Sequence, residues 1–265
     1  MTCSIEVLFT PAEFRALRDR DLKHTVCVVL DVLRATSTFV TALANAAEAI
    51  IPVAEISEAL VLRRERSDVL LAGERDGLRI GAALTGGVEF DLGNSPREFT
   101  SAKIAGKTIV STTTNGTRAL RACVGAQRVL VGSFLNLSAT ADAIERCLPG
   151  CLLVVCAGTG EGAALEDVLA AGALCESLAS RSRAIEAHDS AEIARRVFLQ
   201  AQADLPGAVR HARNARQLLA HADLRDDVEF CLQRDRFALV AASDTDGTIR
   251  KEVGAERREP AAGNQ

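Results

Sequence analysis

The sequence contains no tryptophan, no tyrosine and a single methionine, and only 3% of its residues are aromatic. Proteins that track single-stranded nucleic acid stack bases on aromatic side chains, so this scarcity argues against that class. Basic residues are scattered, without a run longer than about a pair, and the net charge is -4. A non-specific nucleic-acid surface needs a concentrated basic patch, and none is legible. No apolar run approaches the roughly 20 residues that cross a bilayer. The first ten residues lack a basic stretch followed by an apolar one, so no secretory leader is expected. No Cys/His cluster has zinc-like spacing. Eight cysteines without an export signal read as free thiols in a reducing, cytoplasmic compartment. Cys3, Cys27, Cys123, Cys151, Cys156 and Cys231 lie in or beside apolar stretches and read as small core residues.

What is present is aliphatic. Hydrophobic residues make up 48% of the chain, and with so few aromatics the core must come from Ala, Val, Leu and Ile. That composition suits buried parallel strands covered by Ala-rich helices. Strands are expected at 25–31, 49–53, 69–72, 108–111, 128–132 and 151–157. Helices are expected at 36–47, 57–66 with Ser57 as N-cap, 114–124, 138–147, 165–179 and 190–203, with further helix over 207–232. Ser95-Pro96 opens a short helix. The stretch 73–95 reads as irregular, and 237–242 with 248–252 as a hairpin around Asp246-Gly247. This is an α/β pattern with a mostly parallel sheet, one domain over 1–253, a C-terminal helical and hairpin elaboration, and a frayed tail at 254–265.

Polar residues collect just after the predicted strands. Asp31, Arg34, Thr36 and Ser37 follow the first, and Gly73 to Gly77 follow the third. Thr112 to Thr117, then Gly132-Ser133 with Asn136, then Gly158 to Gly162 running to Glu166-Asp167, follow later ones. Ligands of open α/β sheets bind beyond the strands' carboxyl ends, so these clusters are expected to line one cleft along one edge. Asp31, Glu74, Asp76, Glu166 and Asp167 offer hard oxygen ligands. Arg34, Arg75, Arg79, Arg97 and Arg118 offer planar forks for oxyanions. Carboxylates and arginines together match a divalent metal bridging a phosphoryl group, and magnesium is the natural ion. Each feature alone has a plainer reading, as a helix cap, a first-turn acid or a surface charge. Their coincidence carries the reading.

Familiar mechanisms are absent. An aspartyl-phosphate motif would need Asp at position 33, which is Leu33. A cysteine phosphatase would need Arg six residues after Cys156, where Gly162 stands. No Walker A loop occurs, and the glycines at 158–162 are not spaced as a dinucleotide fingerprint. His24 and His188 lie beside no Ser or Cys nucleophile.

The segments DVLRATS at 31–37, AGERDG at 72–77, FDLGNSP at 90–96, TTTNGT at 112–117, and CAGT at 156–159 through LED at 165–167 form an ordered set. With Asp226-Asp227-Val228 late in the chain, this set resembles the 2-phosphosulfolactate phosphatase family along nearly the whole sequence. The resemblance implies a three-layer α/β/α fold and Mg²⁺-dependent hydrolysis of (R)-2-phospho-3-sulfolactate to 3-sulfolactate and phosphate, a step toward coenzyme M in some archaea. Ala164 departs from the serine usual before the LED run, which puts a hydroxyl role there in doubt. On this reading Asp31, Glu74 and Asp167 hold Mg²⁺, and Asp31 or Glu166 is the general base. Arg34, Arg75 and Arg79 clamp the anionic ends. Asn94, Thr112, Thr113, Thr114, Asn115, Gly116, Thr117, Gly158 and Thr159 cradle the small anionic substrate. Other expectations are a homodimer and no membrane or nucleic-acid partner. Alternatives are a phosphatase for another small phosphorylated hydroxy acid, a nucleotide-using α/β enzyme, and a non-catalytic anion-binding module.

Overall fold

The computed structural model describes residues 3–147, 149–181 and 185–252. The tail expected at 254–265 lies outside them. The strands are β1 (Cys3–Leu8), β2 (Thr25–Leu30), β3 (Ala49–Pro52), β4 (Leu70–Arg75), β5 (Leu78–Arg79), β6 (Thr108–Thr112), β7 (Arg128–Gly132), β8 (Cys151–Cys156), β9 (Ile185–Ala187), β10 (Ala241–Ser243) and β11 (Ile249–Lys251). The helices in the first half are α1 (Pro11–Arg15), α2 (Ala35–Ala44), α3 (Ile56–Glu65), α4 (Ala82–Thr85), α5 (Ser101–Ile104) and α6 (Gly116–Ala122). They are followed by α7 (Leu137–Cys147), α8 (Leu165–Arg181), α9 (Asp189–Ala201), α10 (Leu205–Val209), α11 (Arg213–Leu219) and α12 (Arg225–Cys231).

All the strands join one sheet in the order β5-β4-β6-β3-β11-β10-β7-β2-β8-β1-β9. The β-branched run of β2 is buried at every position, as a central strand covered on both faces requires. Its side chains alternate between two cores. Val26, Val28 and Leu30 pack with α8 and α9 on one face, and Cys27 and Val29 pack with Phe39 of α2 on the other. This is the α/β architecture that the composition implies, with an apolar layer on each side of the sheet.

Two blocks of parallel strands make up the sheet. One is β7-β2-β8-β1-β9 and the other is β4-β6-β3. The β10–β11 hairpin stands between them, and its three ladders to β7, within itself and to β3 are all antiparallel. The hairpin expected near Asp246-Gly247 therefore exists, but as the centre of the sheet instead of an elaboration on it. Three antiparallel joints also reverse polarity, so the two parallel blocks run in opposite senses along the sheet. A flat sheet would send their carboxyl ends to opposite edges, which corrects the expectation of one shared edge. The ends of β2, β8, β4 and β6 nevertheless line one pocket. The accumulated right-handed twist of successive strands must coil the sheet enough to bring them together.

Other local differences have local causes. The helix expected from Ser57 starts at Ile56, with Glu55 at the cap position and the Glu58 carboxylate accepting the Ala54 N–H at 3.4 Å. The helix expected from Thr114 starts at Gly116, because Thr113 Oγ1 accepts the Thr117 N–H at 3.2 Å. The stretch from 73 is ordered. Asp76 and Gly77 have φ of 54° and 79°, the two left-handed residues of a tight hairpin turn joining β4 to β5. The long helical region 207–232 is divided among α10, α11 and α12. Strands β1 and β9 were not expected.

Candidate active site

A pocket of about 190 Å³ opens where β2, β4, β6 and β8 end. Asp31, Arg34, Glu74, Asn94, Thr113, Thr114, Asn115, Gly158 and Thr159 all line it, so the structure brings together most of the residues singled out from the sequence. The polar cluster after β7 is not among them. Ser133 and Asn136 are fully buried and cap their own turn, and Asn136 also donates to Val131 and Leu239 carbonyls. Thr112 and Thr117 are likewise buried. Thr112 donates to the Ala54 carbonyl at 3.1 Å and accepts from Arg75, while Thr117 donates to the Thr113 carbonyl at 3.0 Å. Arg79 is exposed and lines a neighbouring pocket that shares Arg34, Gly77 and Asn94 with the first.

Asp31 sits where β2 gives way to α2. Its Oδ1 accepts the Ala35 N–H at 3.2 Å, and its own N–H donates to Thr36 Oγ1 at 2.9 Å. Gly116 lies directly against it. A Cβ there would stand 2.6 Å from Asp31 Oδ2 and 2.7 Å from the Ala35 Cβ. That approach explains a glycine opening α6.

Glu74 is a brace. One of its oxygens accepts the Thr114 N–H at 2.9 Å and hydroxyl at 2.8 Å, and the other accepts the Gly77 N–H at 2.8 Å. Asp167 is a second brace, accepting the Val32 N–H at 2.8 Å and the Gly158 N–H at 3.1 Å. It ties the loop after β2 to the loop after β8. Asn115 joins the loop after β6 to the same place by donating to the Ala157 carbonyl at 3.1 Å and the Gly160 carbonyl at 3.3 Å.

Glu166 differs from these. Its Oε1 accepts a hydrogen bond from Asn214 Nδ2 at 2.6 Å, and its Oε2 is buried with no partner among the described residues. An orphaned carboxylate oxygen normally costs a few kcal/mol and calls for an explanation.

The electrostatics follow from the crowding. Burial pushes the Asp31 carboxyl up to about 7, with the charges of Glu74 and Glu166 adding to it against the Ala35 N–H and Arg34. Asp31 is partly open, but to a narrow polar cleft instead of bulk water. Burial also raises Glu166, although the Asn214 hydrogen bond opposes it. Asp167 is pushed well above the usual range, again by burial first and then by Asp31 and Glu166. Such a cluster of mutually raised carboxyls favours a proton or a cation among them. The Cys156 thiol is fully buried and pushed far up by burial and Asp167, so it is no nucleophile.

Among the described residues no three Asp, Glu, His or Cys side chains converge as a ready-made metal cage. Magnesium does not require one, since it keeps several waters and takes one or two carboxylates plus substrate phosphate. Asp31 Oδ2 and Glu166 Oε2 take no hydrogen bond among the described residues and are hard donors of that kind, so the residues present fit the ion.

Arg34 is buried at the pocket floor. Its Nη1 pairs with Asp227 at 2.7 Å and its Nη2 donates to the Gly77 carbonyl at 2.6 Å. Ser95 Oγ donates to the other Asp227 oxygen at 2.7 Å. The Leu33–Arg34 peptide bond is cis. The opposite wall comes from α11, which the sequence reading passed over. Asn214 Nδ2 also reaches Thr159 Oγ1 at 2.6 Å, Gln217 donates to the Asp76 carbonyl at 2.6 Å, and Arg213 and Leu218 complete the lining. The one sequence signal for this wall was polar residues at 214 and 217, one helical turn apart beside the buried Leu218.

Fold and pocket together are those of an α/β enzyme with carboxylates lining a polar cleft at strand ends. The sequence matches the 2-phosphosulpholactate phosphatase family over residues 12–245. It is 38% identical over 235 residues to a probable 2-phosphosulfolactate phosphatase of Caldanaerobacter subterraneus subsp. tengcongensis, spanning 88% of this chain and 93% of that protein. It is 41% identical over 213 residues to a protein of the same description from Thermotoga petrophila, spanning 80% of this chain and 86% of that one. The chain belongs to the 2-phosphosulfolactate phosphatase family, whose members are phosphoric monoester hydrolases. Among the described residues no helix is long and apolar enough to cross a membrane.

Proposed function

We propose that this chain hydrolyses (R)-2-phospho-3-sulfolactate to 3-sulfolactate and phosphate with the help of Mg²⁺. The observation that carries the mechanism is the closeness of two carboxylates of raised proton affinity, Asp31 lining the pocket and the buried Glu166 behind its Asn214 wall, each with an oxygen that takes no hydrogen bond among the described residues. Family membership supports the substrate.

Glu166 Oε2 is the oxygen that would hold the ion, which when bound would supply positive charge to draw electron density from the phosphoryl oxygens. Asp31 faces the pocket with a proton affinity near neutrality, so it takes a proton from the attacking water as the oxygen–phosphorus bond to the sulfolactate carbon skeleton breaks. The proton then returns to the leaving oxygen. Glu74 and Asp167, expected as ligands, have both oxygens engaged by N–H and O–H donors. In this scheme they hold the loops, and the charge of Glu74 helps raise the proton affinity of Asp31.

The test is phosphate release from (R)-2-phospho-3-sulfolactate, with Mg²⁺ and with EDTA, beside phenyl phosphate. Mg²⁺-dependent release favouring phosphosulfolactate is expected. Release from phenyl phosphate alone would keep the chemistry and discard the substrate, and no release from either would remove the enzyme reading. Gly116→Ala is expected to lower kcat about 100-fold, since the new methyl group must displace Asp31 or Ala35. It should cost about 1–3 kcal/mol in a urea melt. An unchanged kcat would show that the Asp31 position is not critical.

A further inference from the structure

The pocket holds more negative than positive side chains. Asp31, Glu74 and Asp76 line it, against Arg34 and Arg213. Arg34 is not a free cation. It is buried, and its charge is matched by the equally buried Asp227 at 2.7 Å. Arg213 has no ion pair among the described residues. Its guanidinium lies over the loop after β8, with Nη1 3.4 Å from the place a Cβ on Gly160 would occupy. Its base is held firmly. Asn214 is bonded to Thr159 and Glu166, and Gln217 to the Asp76 carbonyl, so α11 bridges the two sides of the pocket. Arg213 stands on the wall that Asn214 ties to the buried Glu166 behind it, near where the phosphoryl group is proposed to react.

We infer that Arg213 selects substrates that carry a second anionic group, a sulfonate or carboxylate, beside the phosphoryl group. This rests on the phosphatase reading above. A planar guanidinium fork can bind either oxyanion through two parallel N–H bonds, and a site otherwise lined by acids repels a second anion unless that cation meets it. A phosphate ester with an uncharged remainder gains nothing from this contact.

The experiment is calorimetric titration of 3-sulfolactate and of inorganic phosphate into the full chain, as wild type, Arg213→Lys and Arg213→Gln. In the Gln variant, 3-sulfolactate should bind about 10- to 100-fold more weakly, with Lys between because it keeps charge but loses the fork. The ratio of sulfolactate to phosphate affinity should fall by a similar factor. In turnover the same variant should raise KM for phosphosulfolactate far more than it lowers kcat. Parallel titrations with lactate and with 2-hydroxyethanesulfonate show which end Arg213 holds, according to which ligand loses affinity. Equal weakening of 3-sulfolactate and phosphate, unaltered 3-sulfolactate binding, or no 3-sulfolactate binding by the wild type would each overturn the inference. Arg213 is exposed, so unchanged melting temperatures are expected and separate binding from folding. The titration needs no turnover. A chain that binds 3-sulfolactate through Arg213 but releases no phosphate would sink the phosphatase reading and leave this inference standing.

Discussion

Asp31→Asn is expected to lower phosphate release by about 10²–10⁴-fold and, in metal-free buffer at pH 8, to raise the melting temperature above that of the parent chain. The loss of activity follows from removing the proton acceptor. The gain in stability follows from the direction of its shift. The Asp31 carboxyl titrates near 7 in the folded chain against 3.8 when unperturbed. Between those values the folded state binds more protons than the unfolded one, so stability falls as pH rises through the window and stays lowered above it. Over about three units the full penalty is on the order of 4 kcal/mol. An amide keeps the acceptor for the Ala35 N–H and carries no charge. The variant should therefore melt close to wild type at pH 4 and above it by about 2–4 kcal/mol equivalent at pH 8. Thermal melts at the two pH values, with EDTA, measure it. A variant equally stable at both would mean that Asp31 is not under electrostatic strain.

Asp227→Ala should act in the opposite direction. Arg34 and Asp227 are 3% and 0% exposed and 2.7 Å apart, and Ser95 donates to the second Asp227 oxygen. Truncating Asp227 leaves a guanidinium in a buried setting without its counterion, and breaking such a pair costs about 3–5 kcal/mol. Arg97 also approaches Asp227, at 3.5 Å, so truncating Asp227 leaves two guanidinium groups near each other without that carboxylate. The double variant Arg34→Met/Asp227→Leu removes both charges and should recover most of the loss in a urea titration, because the dominant cost is the orphaned charge and not the missing bond. If the double variant is no more stable than the single one, the pair contributes through packing instead. Because Asp227 cancels Arg34, the pair is neutral at the pocket floor, and a direct clamp on an anion by Arg34 alone would be weak.

Much of the site was readable because it depends on local chemistry at element ends. The run TVCVVL declares a buried central strand, and a carboxylate just after it is the normal place for a reactive group in an α/β protein. The acids and loop residues after β4, β6 and β8 follow the same logic, and these four positions do meet. What was not readable is non-local. Strand β1 alternates polar and apolar residues over CSIEVL, a weak pattern that acquires meaning only once β8 and β9 pair on either side of it. Asp246-Gly247 signals a hairpin, but no neighbouring residue says that the hairpin sits in the middle of the sheet. Asn214 looks like any polar residue on a short amphipathic helix. Its value lies in reaching Glu166 and Thr159 across 48 and 55 residues. Arg75, Arg79 and Arg118 show the converse limit: none lines the pocket, Arg75 bonding the Glu74 carbonyl and Arg79 lining the neighbouring pocket. An arginine near a cluster in sequence can turn to a backbone carbonyl or to solvent, and sequence spacing does not say which.

The central hairpin also bears on the order in which the protein can be made. Both parallel blocks are synthesised before residues 241–251 emerge from the ribosome. Until those residues arrive, β3 and β7 each present an open edge of unpaired backbone, the arrangement that invites pairing with another chain. The keystone of the sheet is thus the last of the described strand pairs to be translated, and the two halves, including the carboxylates each contributes to the pocket, are brought into register late. Vulnerability to aggregation should be concentrated in that interval of synthesis, when the nascent sheet is in two pieces.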